Sequence, residues 1–413
     1  NYVLSSNIFF KFHSLSLPVP KHLQTIDTFF TIGGIAARYL ASVQSSSAGS
    51  KLRFAIAGRN RAKLDRLATS IESSGRRRPL IVEADSSDYD SLLMMAQSCR
   101  VIASTVGPYL KYGRDLVKAC VETKTHYCDL TGEFPFVREM IDMYHDRCSQ
   151  SGVKIVCCAG FDCIPVDLCT MLAIEALPCE AKSAFALFTS CNGSASGGTL
   201  DSIKGIREWA KSTSKSDMED PYFLAPSASS HLRVDKKWTQ MNGVRFNKDF
   251  LTPTVPHIMA LVDNRVVRRS IVLRNQRVSF DEAMSFGGVA RMAAFTLLHL
   301  PDVVGTGRPK AGSGPSEAIR RDGSFSLSVI AKGAVSGQEA RVHMQGIGDP
   351  GYAATAVMLS ETALCLAMDD NTEYDGGVLT PSTACGKNLA KRLSATGHFR
   401  FQTAVSMPPV PRL

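Results

Sequence analysis

Four stretches of this chain hold residue types that could do chemistry on a ligand. The first, residues 54–63, reads Phe-Ala-Ile-Ala-Gly-Arg-Asn-Arg-Ala-Lys. It is an apolar strand, a turn of Gly58, Arg59, Asn60 and Arg61, and the start of a helix with Leu64, Leu67, Ala68 and Ile71 at helical spacing. In a doubly wound nucleotide-binding sheet the turn after the second strand faces the adenosine ribose, where a carboxylate would bind a 2′-hydroxyl and an arginine a 2′-phosphate. No acid lies between Arg53 and Ala62, so the turn reads as one for NADP, with NAD the alternative cofactor. The competing reading is an ordinary strand-to-helix turn with two solvated arginines.

The second stretch, Val106-Gly107-Pro108-Tyr109, follows a strand at the carboxyl edge, where open α/β sheets bind ligands. A glycine there lets the backbone approach a nicotinamide ribose, although a plain turn would look the same. The third, Asp129-Leu-Thr-Gly-Glu133, could supply an acid and a base; capping of the next helix by Asp129 and Thr131 is the preferred reading. The fourth, Gly160-Phe161-Asp162 with Asp167, lies where the chain leaves the sheet for a second domain, a usual place for a cleft. Tyr109, Glu133 and Asp162 are therefore the candidates for proton transfer. Ser196-Gly197-Gly198-Thr199 could close over a ligand or be a flexible turn.

Groups of this kind meet only if parallel strands deliver them to one edge. The chain supplies the alternation: strands at 52–57, 80–84, 101–106, 125–128 and 153–158, helices at 61–73, 87–97, 112–122 and 134–149. Near-continuous apolar strands between amphipathic helices mean a parallel sheet covered on both faces. The order breaks after Gly160. Strand-like segments at 184–189 and 266–273 and an antiparallel pair at 324–331 and 339–345 follow, with loops at 192–199, 211–237 and 308–314. A long helix at 352–368, a turn at 376–381 and a closing helix at 387–394 end the chain. The expected fold class is α/β: a doubly wound (Rossmann-like) parallel sheet followed by a second α+β domain. The expected organisation is a non-matching segment 1–32, a nucleotide-binding domain 33–160, a substrate-facing or lipid-facing domain 161–350, and C-terminal helices 351–413 packing back on the nucleotide-binding domain.

With 413 residues, 44% of them hydrophobic, the chain can bury two or three cores. Twelve cysteines, none in a CxxC pair, read as reduced thiols of an intracellular protein. The nine histidines form no metal constellation in the sequence, so no metal is expected. The net charge of +9 includes Arg76, Arg77 and Arg78, and a second group of Arg265, Arg268, Arg269, Arg274 and Arg277. Each group could attract phosphate or an anionic membrane; a solvated loop or strand face is the preferred reading. Without interleaved aromatics, nucleic acid is not an expected partner. No run of eighteen apolar residues occurs. The nearest approach, 292–300, reads as a buried helix, with a membrane-dipping segment the alternative.

Taken together and in this order, the motifs resemble the saccharopine dehydrogenase-like oxidoreductases. The residues that carry the resemblance are Ala57-Gly58-Arg59-Asn60, Val106-Gly107-Pro108-Tyr109 with Tyr112-Gly113, Asp129-Leu-Thr-Gly-Glu133, Gly160-Phe-Asp-Cys-Ile-Pro165, Val266-Val267-Arg268-Arg269, Gly351-Tyr352 and Gly376-Gly377-Val-Leu-Thr-Pro381. The family includes trans-acting enoyl reductases of complex lipid synthesis and members associated with lipid droplets and membranes. The resemblance implies an NAD(P)H-dependent reductase acting in lipid or glycolipid metabolism on a lipid or other small-molecule substrate, in the cytoplasm or at a lipid droplet or membrane surface. A homodimer is the expected assembly. Residues 1–28 hold no acid before Asp27 and contain Ser, Lys and His, a pattern like a transit peptide, although no Arg precedes Arg38; mitochondria are therefore an alternative location. The rival reading is a dinucleotide-binding lipid-surface protein without turnover.

One departure stands out. The family opens with a strand and a Gly-rich loop whose amides hold the pyrophosphate, whereas this chain reads Thr28-Phe29-Phe30-Thr31-Ile32-Gly33-Gly34 and shows no convincing strand before it. Gly33 and Gly34 are what remains of the phosphate-binding candidates. Either residues 1–32 are a mis-joined gene model or this copy has lost tight cofactor binding; the first is preferred, because everything after Gly33 still fits.

Overall fold

The computed structural model describes residues 9–12, 32–46, 52–193, 205–211, 213–214, 217, 219–235, 243–257, 259–298, 315–371 and 373–406. Residues 196–199 and the expected loop at 308–314 lie outside them, as do parts of 211–237.

The first sheet contains β1 (Phe9–Phe12), β2 (Ala55–Gly58), β3 (Leu80–Glu83), β4 (Val101–Ser104), β5 (His126–Asp129), β6 (Lys154–Val156) and β13 (Gly377–Leu379), in the order β13-β6-β5-β4-β1-β2-β3. The pairs β2–β3, β4–β5, β5–β6 and β6–β13 are parallel. Strands β2 and β4 are buried along their whole length, as doubly covered strands must be. Between them run α1 (Ile32–Gln44), α2 (Arg61–Ser73), α3 (Tyr89–Gln97), α4 (Tyr109–Tyr112), α5 (Arg114–Thr123) and α6 (Phe134–Ser151). Asn60 and Asp88 cap α2 and α3 by accepting from Lys63 N and Ser91 N, so α3 starts two residues later than its apolar pattern suggests. The helix expected at 112–122 is split into α4 and α5 at Gly113, where a Cβ would come within 2.8 Å of the Phe136 ring and 2.9 Å of Tyr109 O.

Strand β1 corrects the sequence reading, which found no strand before Gly33. It fills the slot between β2 and β4 and is antiparallel to both, with Phe9 opposite Ala57 and Ser104 and Phe12 opposite Val101. Because Val101 opens β4, the chain leaves β1 at the amino edge of the sheet. A strand feeding a phosphate loop would leave at the opposite edge, beside Gly58 and Gly107.

The second sheet runs β14-β12-β11-β7-β10-β9-β8. It is built from β7 (Ala181–Asn192), β8 (Arg245–Asn247), β9 (Thr252–Val255), β10 (Ser279–Ser285), β11 (Ser324–Gly333), β12 (Glu339–Ile347) and β14 (Phe399–Ser406). Its neighbours are antiparallel except β7 and β10. The α7 helix (Ile164–Ala176) lies on β7, β11 and β12.

The segment 266–273, expected as a strand, belongs to the helix α8 (Ala260–Leu273). Its β-branched run misled the reading, whereas the buried Val262, Val266, Val267 and Ile271 fit a helical stripe. Its arginines are not on a solvated face either. Arg265, Arg268 and Arg269 are 0%, 2% and 1% exposed, and they donate to backbone carbonyls of Leu261, Phe280, Leu224 and Val378. Burial drives the Arg269 guanidinium down to about 9. In the α9 helix (Phe286–Leu298) Met292, Ala293 and Ala294 are exposed, against the buried helix expected at 292–300; the side chains of 295–298 and residues 299–300 lie outside what the structure describes.

After a π-turn at Pro350–Ala354 come α10's successors in the chain, α11 (Thr355–Met368) and α12 (Pro381–Ala395), where α10 is the short helix Glu317–Asp322. Pro350–Met368 is long and apolar enough by composition to cross a membrane, yet it is mostly buried against α1, β4 and β5 and is core here. Residues 351–413 do more than pack back on the first sheet: β13 extends that sheet while β14 pairs with β12 in the second.

Candidate active site

At the adenosine end, Gly58 closes β2 and hands the chain to an exposed turn of Arg59, Asn60 and Arg61. Asn60 is spent on its cap, accepting from Lys63 N at 3.0 Å. The Arg61 guanidinium sits 3.1 Å from Asp65 and 3.5 Å from Glu83. Those exposed pairs are weak enough to exchange for a phosphate. Arg59 lies near Asp85, which follows β3; a backbone hydrogen bond from Ser87 holds that carboxyl below its usual range, and the Arg59 charge adds to this. Two exposed arginines at the carboxyl edge, with no acid in their own turn, fit a 2′-phosphate. Gly33 and Gly34 are buried in the first turn of α1, and Gly34 O accepts from Arg38 at 3.3 Å.

The middle of the edge is built from the β4 and β5 loops. Val106 is buried, with its N–H on Ser104 Oγ at 3.2 Å. Among the described residues a Cβ on Gly107 would meet only the Tyr109 ring, at 3.4 Å. Tyr109 points inward: its hydroxyl donates to Ser104 O at 3.1 Å and accepts from Leu130 N at 3.3 Å. Burial raises that hydroxyl far above its usual range. The Glu133 carboxylate, fully buried, accepts from Tyr109 N at 2.9 Å and Leu110 N at 3.0 Å. Both residues are thus held in backbone hydrogen bonds.

Asp129 does not cap α6, contrary to expectation; the N-cap position is Glu133, without a side-chain cap. Asp129 Oδ1 accepts from Thr131 N and Cys158 N at 3.0 and 3.2 Å, and Oδ2 accepts from Tyr127 at 2.9 Å. It ties the ends of β5 and β6 together. Burial pushes its carboxyl up to about 7 against those hydrogen bonds. Asp167 is likewise structural, accepting from Ser270 Oγ at 2.5 Å and Ser382 N at 2.8 Å.

Asp162 differs. It follows β6 at the same edge, remains partly exposed, and accepts no hydrogen bond among the described residues. A side chain at Gly132 would reach within 3.8 Å of its Oδ2, which places the carboxyl against the β5 loop. Loss of water raises its carboxyl to about 6, and His257 opposes this. Adjacent strands lie about 4.8 Å apart, so two strand spacings, roughly 10 Å, separate the Asp162 loop from Gly107.

Behind Asp162 stands a group that sequence spacing did not reveal. His257, Asp263 and Glu282 are all buried, and their ligand-type atoms lie within 4.8 Å of one another. His257 Nδ1 is hydrogen-bonded to Glu282 Oε1 and lies 3.9 Å from Asp263 Oδ2, while its ring stacks on Phe188 at 4.3 Å. Cys163 Sγ donates to Asp263 Oδ1 at 3.3 Å. Burial, then Glu282 and Asp162, hold the Asp263 carboxyl far above its usual range. These residues come from a loop, a helix and a strand; no local pattern links them.

Residues 31–156 match the family described as saccharopine dehydrogenase NADP binding domain. Along most of its length the chain is similar to a protein of Mycobacterium tuberculosis named as a trans-acting enoyl reductase, 33% identical over 399 residues that cover 89% of this chain and 93% of that one. A trans-acting enoyl reductase of Mycobacterium ulcerans is 31% identical over 378 residues, covering 84% and 90%. The fold is similar to apo saccharopine dehydrogenase (L-Glu forming) of Saccharomyces cerevisiae, with a TM-score of 0.50, 11% identity, and 91% and 98% of the two chains covered.

Proposed function

The chain belongs to the saccharopine dehydrogenase-like oxidoreductases, related to the trans-acting enoyl reductases, and from that premise we propose that it reduces the carbon–carbon double bond of an unsaturated acyl lipid, with Asp162 as the proton donor. It is an oxidoreductase with an NADP-binding domain. When bound, NADPH supplies hydride to one carbon of the double bond. The residues of this chain do the rest: Arg59 and Arg61 hold the 2′-phosphate, the Val106-Gly107-Pro108 backbone lines the nicotinamide end, and Asp162 gives the proton to the other carbon.

The observation that carries this reading is the difference among three acid–base candidates. Tyr109 and Glu133 are fixed by backbone partners, whereas Asp162, a half-buried residue at the edge where the substrate would enter, accepts no hydrogen bond among the described residues. A positioned acid contributes about 10²–10⁴-fold. With an α,β-unsaturated acyl thioester as probe, Asp162→Asn lowers the rate of NADPH oxidation by that order and leaves NADPH affinity unchanged. Tyr109→Phe and Glu133→Gln act instead through stability. Full turnover by Asp162→Asn removes Asp162 from the chemistry.

Support for a lipid substrate comes from the names of the relatives and from α9, whose Phe286 and Met292 are 55% and 37% exposed. We infer from these a peripheral contact with an anionic lipid surface.

A further inference from the structure

His257, Asp263 and Glu282 are 3%, 0% and 2% exposed, yet one oxygen on each carboxylate, Asp263 Oδ2 and Glu282 Oε2, has no hydrogen-bond partner among the described residues. Among the described residues only the His257 ring and the Cys163 thiol stand against the two carboxylates, and buried charge without a full set of partners is costly. The arginines of α8 do not relieve them. Arg268 pairs with Asp235 at 2.9 Å, Arg269 donates to Leu224 O and Val378 O, and Arg265 donates to Leu261 O and lies 4.1 Å over the Phe134 ring.

We propose that His257, Asp263 and Glu282 form a binding site for one divalent metal ion of the Zn²⁺ type. One imidazole nitrogen and two carboxylate oxygens are a donor set of borderline hardness, suited to Zn²⁺ and its neighbours over Mg²⁺ or Ca²⁺, which favour all-oxygen sites. Ligands about 2.0–2.1 Å from a tetrahedral ion stand roughly 3.4 Å apart, close to the 3.9 Å between His257 Nδ1 and Asp263 Oδ2. The ion replaces the proton between Nδ1 and Glu282 Oε1, so binding releases a proton. Cys163 Sγ, donating to Asp263 Oδ1, orients that ligand from behind. Three protein ligands leave a fourth position of a tetrahedral ion open to water or another ligand.

This site does not rest on the reductase reading, and its test has no turnover in it. The full chain, stripped with chelator and desalted from excess Zn²⁺, retains one equivalent by elemental analysis, shows a raised Tm, and does neither with Mg²⁺. Glu282→Gln and Asp263→Asn, which keep size and hydrogen-bonding capacity, weaken Zn²⁺ binding at least about tenfold while their metal-free far-UV spectra match the parent and their metal-free Tm is no lower than its Tm. A thiol-blocked sample keeps its equivalent, which separates this site from the twelve free cysteines. Retention below a tenth of an equivalent by the parent, or equal retention by both variants, overturns the proposal. Should either variant fail to fold, His257→Gln and the Co²⁺ spectrum of the parent decide: an intense thiolate band, or no band at all, counts against this site.

Discussion

Arg59 is the residue proposed to read cofactor choice. It is exposed at the carboxyl edge, and its partner Arg61 is shared with Asp65 and Glu83. Arginine grips phosphate through two parallel donors, so Arg59→Ala costs NADPH about 1.5–3 kcal/mol, the usual worth of a hydrogen bond to a charged group, and barely touches NADH. Titration with both nucleotides checks this; equal losses mean Arg59 supports the fold or the adenine. Asp129 sets a pH dependence of a different kind. Its folded carboxyl stands at about 7, above its ordinary 3.8, so the folded state holds the proton more tightly. Its contribution is complete below about pH 4 and is lost as pH rises through 7, at about 1.4 kcal/mol per pKa unit. Urea unfolding at pH 4.5 and 7.5 shows stability falling with pH in the parent and a flatter slope in Asp129→Asn. Parallel slopes would place the proton elsewhere.

Among the elements, β1 decides the nucleotide site. Its antiparallel course brings the chain out at the amino edge, away from Gly58 and Gly107. Backbone amides aimed at a pyrophosphate are worth about 1.5–3 kcal/mol each. Exchanging residues 1–32 for a parallel strand and a Gly-rich loop before Gly34 tightens NADPH binding at least about tenfold, as calorimetry would show. Unchanged affinity means the present N-terminal segment serves the pyrophosphate as it stands. Helix α8 shows the opposite balance: three arginines within five residues are buried, and two of them, Arg268 and Arg269, donate to backbone carbonyls of remote segments.

For the whole molecule, the C-terminal segment joins what looks separable in the chain. Strand β13 extends the first sheet, β14 edges the second, and the larger apolar cluster runs from Ala36 and Ile56 through Phe188 and Leu327 to Leu364 and Leu389. Burying Arg265, Arg268 and Arg269 also removes much of the basic surface that the net charge of +9 suggests. The proposed contact with lipid then depends on α9 more than on charge. The protein floats with anionic vesicles at low salt, less so as salt screens the remaining charge, and not when Phe286 and Met292 are both made Ser. Absence of flotation at low salt removes the lipid-surface part and leaves the reductase reading intact.

Local pattern was enough for the doubly wound sheet, because apolar strands and amphipathic helices of 33–160 carry their period in adjacent residues. The glycine and arginine turns were legible for the same reason: a turn's chemistry lies within four residues. Pattern failed at α8, where helical and strand readings of a β-branched run differ only in what surrounds it, and at β1, whose direction is set by its neighbours' register. The roles of Tyr109, Glu133 and Asp162 were also beyond it. One carboxylate became a backbone anchor and another was left without a hydrogen-bond partner among the described residues according to which amides the fold brought near, and His257, Asp263 and Glu282 met only through the packing of three separate elements.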